Sequence, residues 1–338
     1  MSKAPHTVPG LRPVVIKGTG SYTPKKVITN ADLEKMVDTT DEWIYSRTGM
    51  RERHHVVEGE ATSDLAIPAA ELALKDAGVE AVDLDMILVC TSTPDMFFPN
   101  TACFVQKGIG ATNAFCMDME AACSGFLYGL EVGKQFVQSG SADNVLIIGA
   151  ETISPWINWE DRTTCVLFGD GAGAAVLQAG QGRGIMETIM GSDGSLAELL
   201  IMPGGGSRMP PTKGPLPKKD VSIQMQGREV FKHAVSNMTA AALDILEHTG
   251  VSIDDIKYII PHQANARIIQ AIGQRLDARE DQVYMNVDKY GNTSAASVIL
   301  ALDEVNRAGK LEPGDLLLFV VFGAGFTWGA MLMEWNPS

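Results

Sequence analysis

The 338-residue chain is 45% hydrophobic and 20% charged, a globular composition with enough length for two domains or one large duplicated fold. Its formal net charge of −14 argues against nonspecific nucleic-acid binding, so an acidic partner would need a local basic patch to dock on. No apolar run approaches the roughly 20 residues of a membrane span, and the opening segment MSKAPHTVPGLRP lacks the apolar core of a signal peptide, which together predict a cytoplasmic protein with no membrane partner.

After that polar segment, VVIKGTGSYTP reads as a strand and turn, and TNADLEKMV as a helix capped by Thr29 or Asn30. The polar stretch TTDEWIYSRTGMRERH follows, in which Trp43 and Arg47 stand out. Asp64 to Ala77 has the spacing of an amphipathic helix closed by Gly78, Met86 to Thr91 reads as an apolar strand, and STPDMFFPN as a loop exposing Phe97 and Phe98. Residues 113–140, NAFCMDMEAACSGFLYGLEVGKQFVQSG, read as a buried strand, a sharp turn through small residues and a helix carrying Phe126, Leu127, Leu130 and Phe136. Cys123 falls at the helix start, where unpaired backbone N–H groups and the helix dipole favour a thiolate. On these residues alone, a small buried hydrophobe is the competing reading.

The five cysteines, Cys90, Cys103, Cys116, Cys123 and Cys165, contain no CxxC pair and no Cys/His cluster. They are expected to be reduced thiols rather than a disulfide framework or a structural zinc site.

The second half repeats the plan of the first. Glu229 to Thr249 matches the Asp64 helix, DDIKYIIPH matches LDMILVCTS, and FGAGFTWGAML echoes FGDGAGAAVL. QVYMNVDKYGN ending at Asn292 falls on NAFCMDMEAAC ending at Cys123. Two such units predict an α/β fold built by duplication, with a pseudo-twofold axis that brings Cys123 and Asn292 towards each other. The first half is the longer, mainly through ETISPWINWEDRTTCVL, an insertion of the kind that forms interface or substrate loops. Between the halves, MPGGGSRMPPTKGPLPKKD reads as a flexible surface excursion. The glycine-rich pieces GAGAAV, GQGRG and PGGG lack a Walker lysine or a dinucleotide fingerprint in the right context, which argues against nucleotide-cofactor catalysis.

A cysteine nucleophile needs a partner that manages protons and donors for the developing oxyanion. Of six histidines, His6 lies in the opening segment, His54 and His55 in a charged stretch, and His233 and His248 within an amphipathic helix. His262 instead closes an apolar strand after Pro261, at the C-terminal edge where open α/β sheets build their sites. Asn292, in YGNTSAAS, could be a helix N-cap, but its repeat position opposite Cys123 makes it a catalytic candidate.

From about Val14 to the C-terminus, the motifs DEWIYSRTGM, AACSGF, LFGDGAGA, PHQAN, GNTSAAS and FGAGFTWG run in unbroken order. In them the chain resembles the β-ketoacyl-acyl-carrier-protein synthase III family, the initiating condensing enzymes of type II fatty-acid synthesis within the thiolase superfamily. The resemblance implies a thiolase-like α/β fold, a duplicated layered αβαβα architecture with pseudo-twofold symmetry. Its halves would be residues 1–184, carrying the nucleophile, and residues 185–338, carrying the histidine and asparagine. Thiolases pair the nucleophile with a histidine and a second cysteine, and elongating condensing enzymes with two histidines. Asn292 in the second-half turn selects the Cys–His–Asn group.

The implied activity is an acyltransferase reaction, a decarboxylative Claisen condensation. Cys123 attacks a short acyl-CoA, with acetyl-CoA the first candidate, and the backbone N–H groups of Cys123 and Ala324 hold the oxyanion. His262 and Asn292 stabilise the enolate formed from malonyl-acyl-carrier protein as CO2 leaves, and 3-oxoacyl-carrier protein results. CoA thioesters are substrates, and neither a metal nor a redox cofactor is implied. Trp43 and Arg162 match the pair that encloses the CoA adenine, Arg47 its phosphate contact, and Phe322 a residue beside the condensing thioester. Asn265 is implied to be structural or to face the pantetheine. Phe98 matches a lid phenylalanine that crosses a homodimer interface, and Lys232, Arg267 and Arg275 a basic face for acyl-carrier protein. Arg228 departs from members that have asparagine beside the pantetheine arm. The alternatives are a related Cys–His–Asn enzyme of secondary metabolism or long-chain acyl-CoA condensation, and a non-catalytic acyl-CoA-binding protein. The joint presence of Cys123, His262 and Asn292 counts against the last.

Overall fold

The computed structural model describes residues 11–337, so His6 and the rest of the opening segment lie outside the described residues. The first repeat begins with β1 (Val14–Tyr22), β2 (Lys26–Thr29), α1 (Asn30–Leu33), α2 (Asp41–Thr48) and β3 (Glu52–His55). Thr29 caps α1 through both arms of a capping box. The α2 helix carries no apolar stripe, and it is set by its ends. The Thr40 hydroxyl accepts from Trp43 N at 3.1 Å, and Gly49 closes the helix with φ +75°. Then come α3 (Thr62–Ala77), β4 (Met86–Cys90), α4 (Thr101–Ile109), β5 (Phe115–Met119), a 3₁₀ turn at Ala122–Ser124, α5 (Gly125–Ser139), β6 (Val145–Glu151) and β7 (Gly171–Ala179).

The second repeat contains β8 (Ile185–Ser192), the short strands β9 (Leu200–Ile201) and β10 (Gln224–Met225), α6 (Gly227–Thr249), β11 (Ile256–Pro261) and α7 (Ala266–Arg275). It continues with α8 (Val287–Tyr290), a 3₁₀ turn at Ser294–Ala296, α9 (Ser297–Arg307), β12 (Leu316–Gly323) and β13 (Thr327–Glu334). The surface excursion over residues 202–223 contains only turns and 3₁₀ segments and is pinned at its base by the β9–β10 pair. None of the described helices is long and apolar enough to cross a membrane.

The first sheet runs β1-β7-β6-β4-β5, antiparallel up to β6 and parallel from there on. The second runs β8-β13-β12-β11 with the same sequence of directions. In place of a fifth strand it has a single parallel bridge from Ile259 to Val283. The central strands β4, β6 and β12 are buried along their whole length, which explains their near-continuous apolar runs. Between the sheets lie α5 and α9, whose Phe126, Leu130, Ile299 and Leu302 join Leu88 and Ile147 of one sheet and Leu317 and Phe319 of the other in one core. Outside them, α3 packs on the first sheet and α6 on the second. The layers are therefore αβαβα, as the repeat and the resemblance imply.

Two expectations are corrected. The strand before Cys123 is not buried, because β5 is an edge strand and Phe115 is 44% exposed. The repeat register also shifts. Each inner helix is preceded by a 3₁₀ turn whose first residue has positive φ, Ala122 at +47° and Ser294 at +50°. By this geometry Cys123 corresponds to Ala295 rather than to Asn292, which sits in the lead-in to its turn. The two turns still meet, since a Cβ on Gly149 of β6 would lie 2.6 Å from Ala295 O and one on Gly125 would lie 3.5 Å from Ala295 Cβ.

Candidate active site

The meeting of the two turns opens a cavity of about 730 Å3 that is lined by Cys123, His262 and Asn292 together. Cys123 is almost fully buried, and burial pushes its thiol up to about 12, with the Ser294 hydroxyl pulling the other way and Glu151 adding to the rise. A helix start therefore does not by itself give a resting thiolate here. Burial outweighs the hydrogen bonds that favour the thiolate.

His262 leaves the end of β11 with its N–H on Val320 O at 2.8 Å, and its Nδ1 lies 2.6 Å from Ser297 Oγ at the start of α9. Burial pushes its pKa down to about 3, so the imidazole is neutral near pH 7. The neighbouring Gln263 side chain donates to Pro261 O at 2.8 Å and accepts from Asn286 N at 2.9 Å, which fixes the strand end that carries the histidine. Asn292 is held by its backbone, donating to Leu167 O at 2.8 Å and accepting from Gly169 N at 3.0 Å. Its Oδ1 accepts from Ser294 N at 2.9 Å, so the side-chain N–H groups are left to the cavity. The capping reading and the catalytic reading of Asn292 thus use different atoms.

Opposite the nucleophile, the turn after β12 brings backbone against backbone. A Cβ on Gly323 would lie 2.8 Å from Cys123 N, and the Thr327 hydroxyl sits 3.1 Å from Ala324 O and 3.2 Å from Ala121 O. Ala324 and Phe322 line the cavity, and Phe322 packs on Phe326 with ring centroids 4.7 Å apart.

At the mouth, the Arg47 and Arg162 guanidinium carbons lie 4.7 Å and 5.1 Å from the Trp43 ring centroid. Trp43 and Arg47 line the cavity, while Arg162 stands just outside the lining and donates to Asp38 O at 2.8 Å. Asn265 has a structural role and also borders the cavity. It caps α7 by accepting from Arg267 N at 2.8 Å and donates to Arg47 O at 3.1 Å. Arg228 and Arg267 also border it, whereas Lys232 and Arg275 are exposed on the outer surfaces of α6 and α7. Phe98 is 84% exposed and does not line the cavity of its own chain. The first-half insertion contributes Ile153, Trp156, Thr163, Val166 and Leu167 to the wall.

Among the wall residues that the sequence did not single out, Glu151 stands closest to the chemistry in character. Glu151 ends β6 fully buried beneath the nucleophile, and its carboxylate accepts from Thr93 Oγ1 at 2.6 Å, Ser294 Oγ at 3.1 Å and Ser92 N at 3.2 Å. Burial pushes it up to about 7 against those hydrogen bonds. Its one signal in the sequence is a charge closing the apolar run VLIIGA.

Two family models match the chain, one described as 3-oxoacyl-[acyl-carrier-protein (ACP)] synthase III over residues 117–194 and one as its C-terminal part over residues 246–335. The β-ketoacyl-[acyl-carrier-protein] synthase III of Caldanaerobacter subterraneus subsp. tengcongensis is 54% identical over 95% of this chain and 97% of that protein. Among solved structures, the 3-oxoacyl-[acyl-carrier-protein] synthase III of Aquifex aeolicus is 46% identical, covers 95% of this chain and 100% of its own, and superposes with a TM-score of 0.89. The priming β-ketosynthase from the R1128 polyketide biosynthetic pathway is 34% identical, covers 98% and 99%, and superposes at 0.91.

Proposed function

This chain belongs to the β-ketoacyl-[acyl-carrier-protein] synthase III family, a family of condensing acyltransferases, and from that premise we propose that it joins a short acyl-CoA primer to malonyl-acyl-carrier protein to initiate fatty-acid synthesis. The observation that carries the reading is the convergence of Cys123, His262 and Asn292 on one cavity. Acetyl-CoA is the first candidate primer.

In this reading the acyl-CoA adenine enters between Trp43 and Arg162 by displacing the Arg162 guanidinium from its 5.1 Å contact with the ring, with Arg47 on a phosphate and the pantetheine arm running past Arg228 and Asn265 to Cys123. The Cys123 sulphur forms a bond to the thioester carbonyl carbon, and the oxyanion is held by the N–H groups of Cys123 and Ala324. Collapse breaks the carbon–sulphur bond to CoA, and the proton lost by the thiol ends on the departing CoA sulphur. Malonyl-acyl-carrier protein then enters. His262 and Asn292 donate hydrogen bonds to its thioester oxygen as the carboxylate carbon–carbon bond breaks and CO2 leaves, and Phe322 packs beside the reacting thioester. The enolate carbon attacks the acyl-cysteine, forming the new carbon–carbon bond and releasing the Cys123 thiolate, which takes a proton from solvent to restore the thiol. All groups used are the chain's own, with no metal or redox cofactor.

Acyl-carrier protein, itself a partner in this reading, docks on the exposed cations Lys232 on α6 with Arg267 and Arg275 on α7, which offset the net charge of −14 locally. The active form is a cytoplasmic homodimer in which Phe98 of one subunit closes the neighbour's cavity. The decisive experiment is intact-mass analysis after adding acetyl-CoA. An acetyl adduct that is lost in Cys123→Ala and discharged by malonyl-acyl-carrier protein supports the reading, and the absence of any adduct favours an acyl-CoA-binding protein without turnover.

A second reading, priming of a secondary-metabolite pathway, is favoured by the likeness to the R1128 priming β-ketosynthase. Acyl-CoAs of graded length offered with malonyl-acyl-carrier protein separate the two. Turnover confined to long or branched acyl chains would remove acetyl-CoA as the primer.

A further inference from the structure

The reaction proposed above asks His262 to present a proton to a thioester oxygen, and an imidazole that is neutral has only one proton for its two nitrogens. Which nitrogen holds it depends on the hydrogen bond made by the other. His262 Nδ1 lies 2.6 Å from Ser297 Oγ, and the Gln263 backbone N–H points at the same oxygen over 3.3 Å. His262 is 3% exposed and Ser297 1% exposed, so water does not mediate these contacts freely.

The hydroxyl has one proton to give and two lone pairs to offer. Gln263 N–H can only donate, and it takes one lone pair. Among the described residues, Nδ1 is then the only remaining hydrogen-bond partner of Ser297 Oγ. If Nδ1 carried the ring proton, the hydroxyl would accept twice and its own proton would be buried with no acceptor, which is costly in a dry interior. If Nδ1 is bare, the hydroxyl proton goes to it and every group is satisfied. The neutral state imposed by burial makes this choice a strict alternative.

We propose that Ser297 is a positioning residue that accepts the Gln263 N–H, donates its proton to His262 Nδ1, and so fixes the imidazole proton on Nε2, the nitrogen left to the cavity. The arrangement joins the backbone just after β11 to the first residue of α9. A consequence is that His262 is poised in the resting enzyme as a hydrogen-bond donor and not as a base for the Cys123 thiol. Ser297 thereby biases the site toward enolate stabilisation.

The proposal rests on the condensing reaction above, but its first test does not. In protein labelled with ¹⁵N-histidine, NMR of wild type between pH 6 and pH 8 is expected to show His262 with its proton on Nε2 and a hydrogen-bonded bare Nδ1. A proton on Nδ1 overturns the proposal whatever the enzyme's activity, and lack of a Cys123 adduct would instead overturn the reaction. Ser297→Ala is expected to leave adduct formation within about twofold of wild type and to lower the condensation kcat roughly tenfold, because tautomer and ring orientation are both released. Ser297→Thr, which keeps the hydroxyl, is expected to restore the Nε2–H signal. An Ala variant with the wild-type tautomer and an unchanged ratio of condensation to acylation also overturns it. Should the Ala variant fail to fold, the wild-type spectrum decides alone.

Discussion

Cys123, His262 and Asn292 owe their standing to what each buries and what each leaves free. The asparagine spends its oxygen on Ser294 N and leaves its amide protons to the cavity, so under the proposed reaction Asn292→Ala is expected to acylate normally and to lose roughly a hundredfold in condensation, the usual worth of one preorganised donor. Undiminished condensation would remove it from the mechanism. Glu151 makes a different prediction. Its folded pKa, about 7, lies above the ordinary 4.5, so the folded state holds an extra proton between those values. That contribution to stability is fully present below pH 4.5 and is lost as pH rises through 7. His262, depressed from 6.5 to about 3, has the opposite sign and loses stability as pH falls, but it is common to both proteins in a comparison of wild type with Glu151→Gln. The stability of the Gln variant relative to wild type should therefore grow between pH 4.5 and pH 7, by about 3 kcal/mol at most. Urea titrations at pH 4.5, 6 and 7.5 check this, and a constant difference would mean that Glu151 does not titrate in that window. Cys123 and His262 were legible as candidates because each lies between a strand and a helix within a distinctive motif. Glu151 and Ser297 were not, since their partners come from segments that are distant in sequence.

At the scale of elements, the turns matter more than the helices they introduce. The β12 turn passes so close to the nucleophile that a methyl group on Gly323 would sit 2.8 Å from Cys123 N and 3.0 Å from Ser124 N. Backbone cannot yield as a side chain can. Gly323→Ala is expected to displace the Ala324 N–H and slow adduct formation by about a hundredfold, followed by mass spectrometry over time, with a wild-type rate counting against any oxyanion role for this turn. The order of helices and strands could be read from the repeat, and so could the caps at Gly78 and Gly250. The register at the inner helices could not. In the second repeat α8 and the lone Ile259–Val283 bridge replace the fifth strand, so the residues leading to the turn align in sequence without being equivalent in space. Helix α2 was also illegible as a helix, because its stability lies in its caps and its packing rather than in an apolar stripe.

For the whole molecule, the first sheet ends at β5, whose outer edge has no partner strand among the described residues, and Phe97 and Phe98 are 80% and 84% exposed. An open edge and an apolar tip of this kind call for a covering surface. Sedimentation is expected to give twice the chain mass, and a monomer that retained full activity would contradict the Phe98 lid. The layered architecture was visible in outline, since duplication and apolar runs predict two sheets, but the sequence carried no measure of how far they share an interior. The structure answers that with α5 and α9, which belong to different repeats and contribute to a single core with both sheets. Neither repeat can shed its inner helix without hydrating the other's apolar face. Despite its two sheets, the protein should therefore melt with one cooperative endotherm in a calorimeter, and two separable heat-absorption peaks would show that the repeats keep independent stabilities.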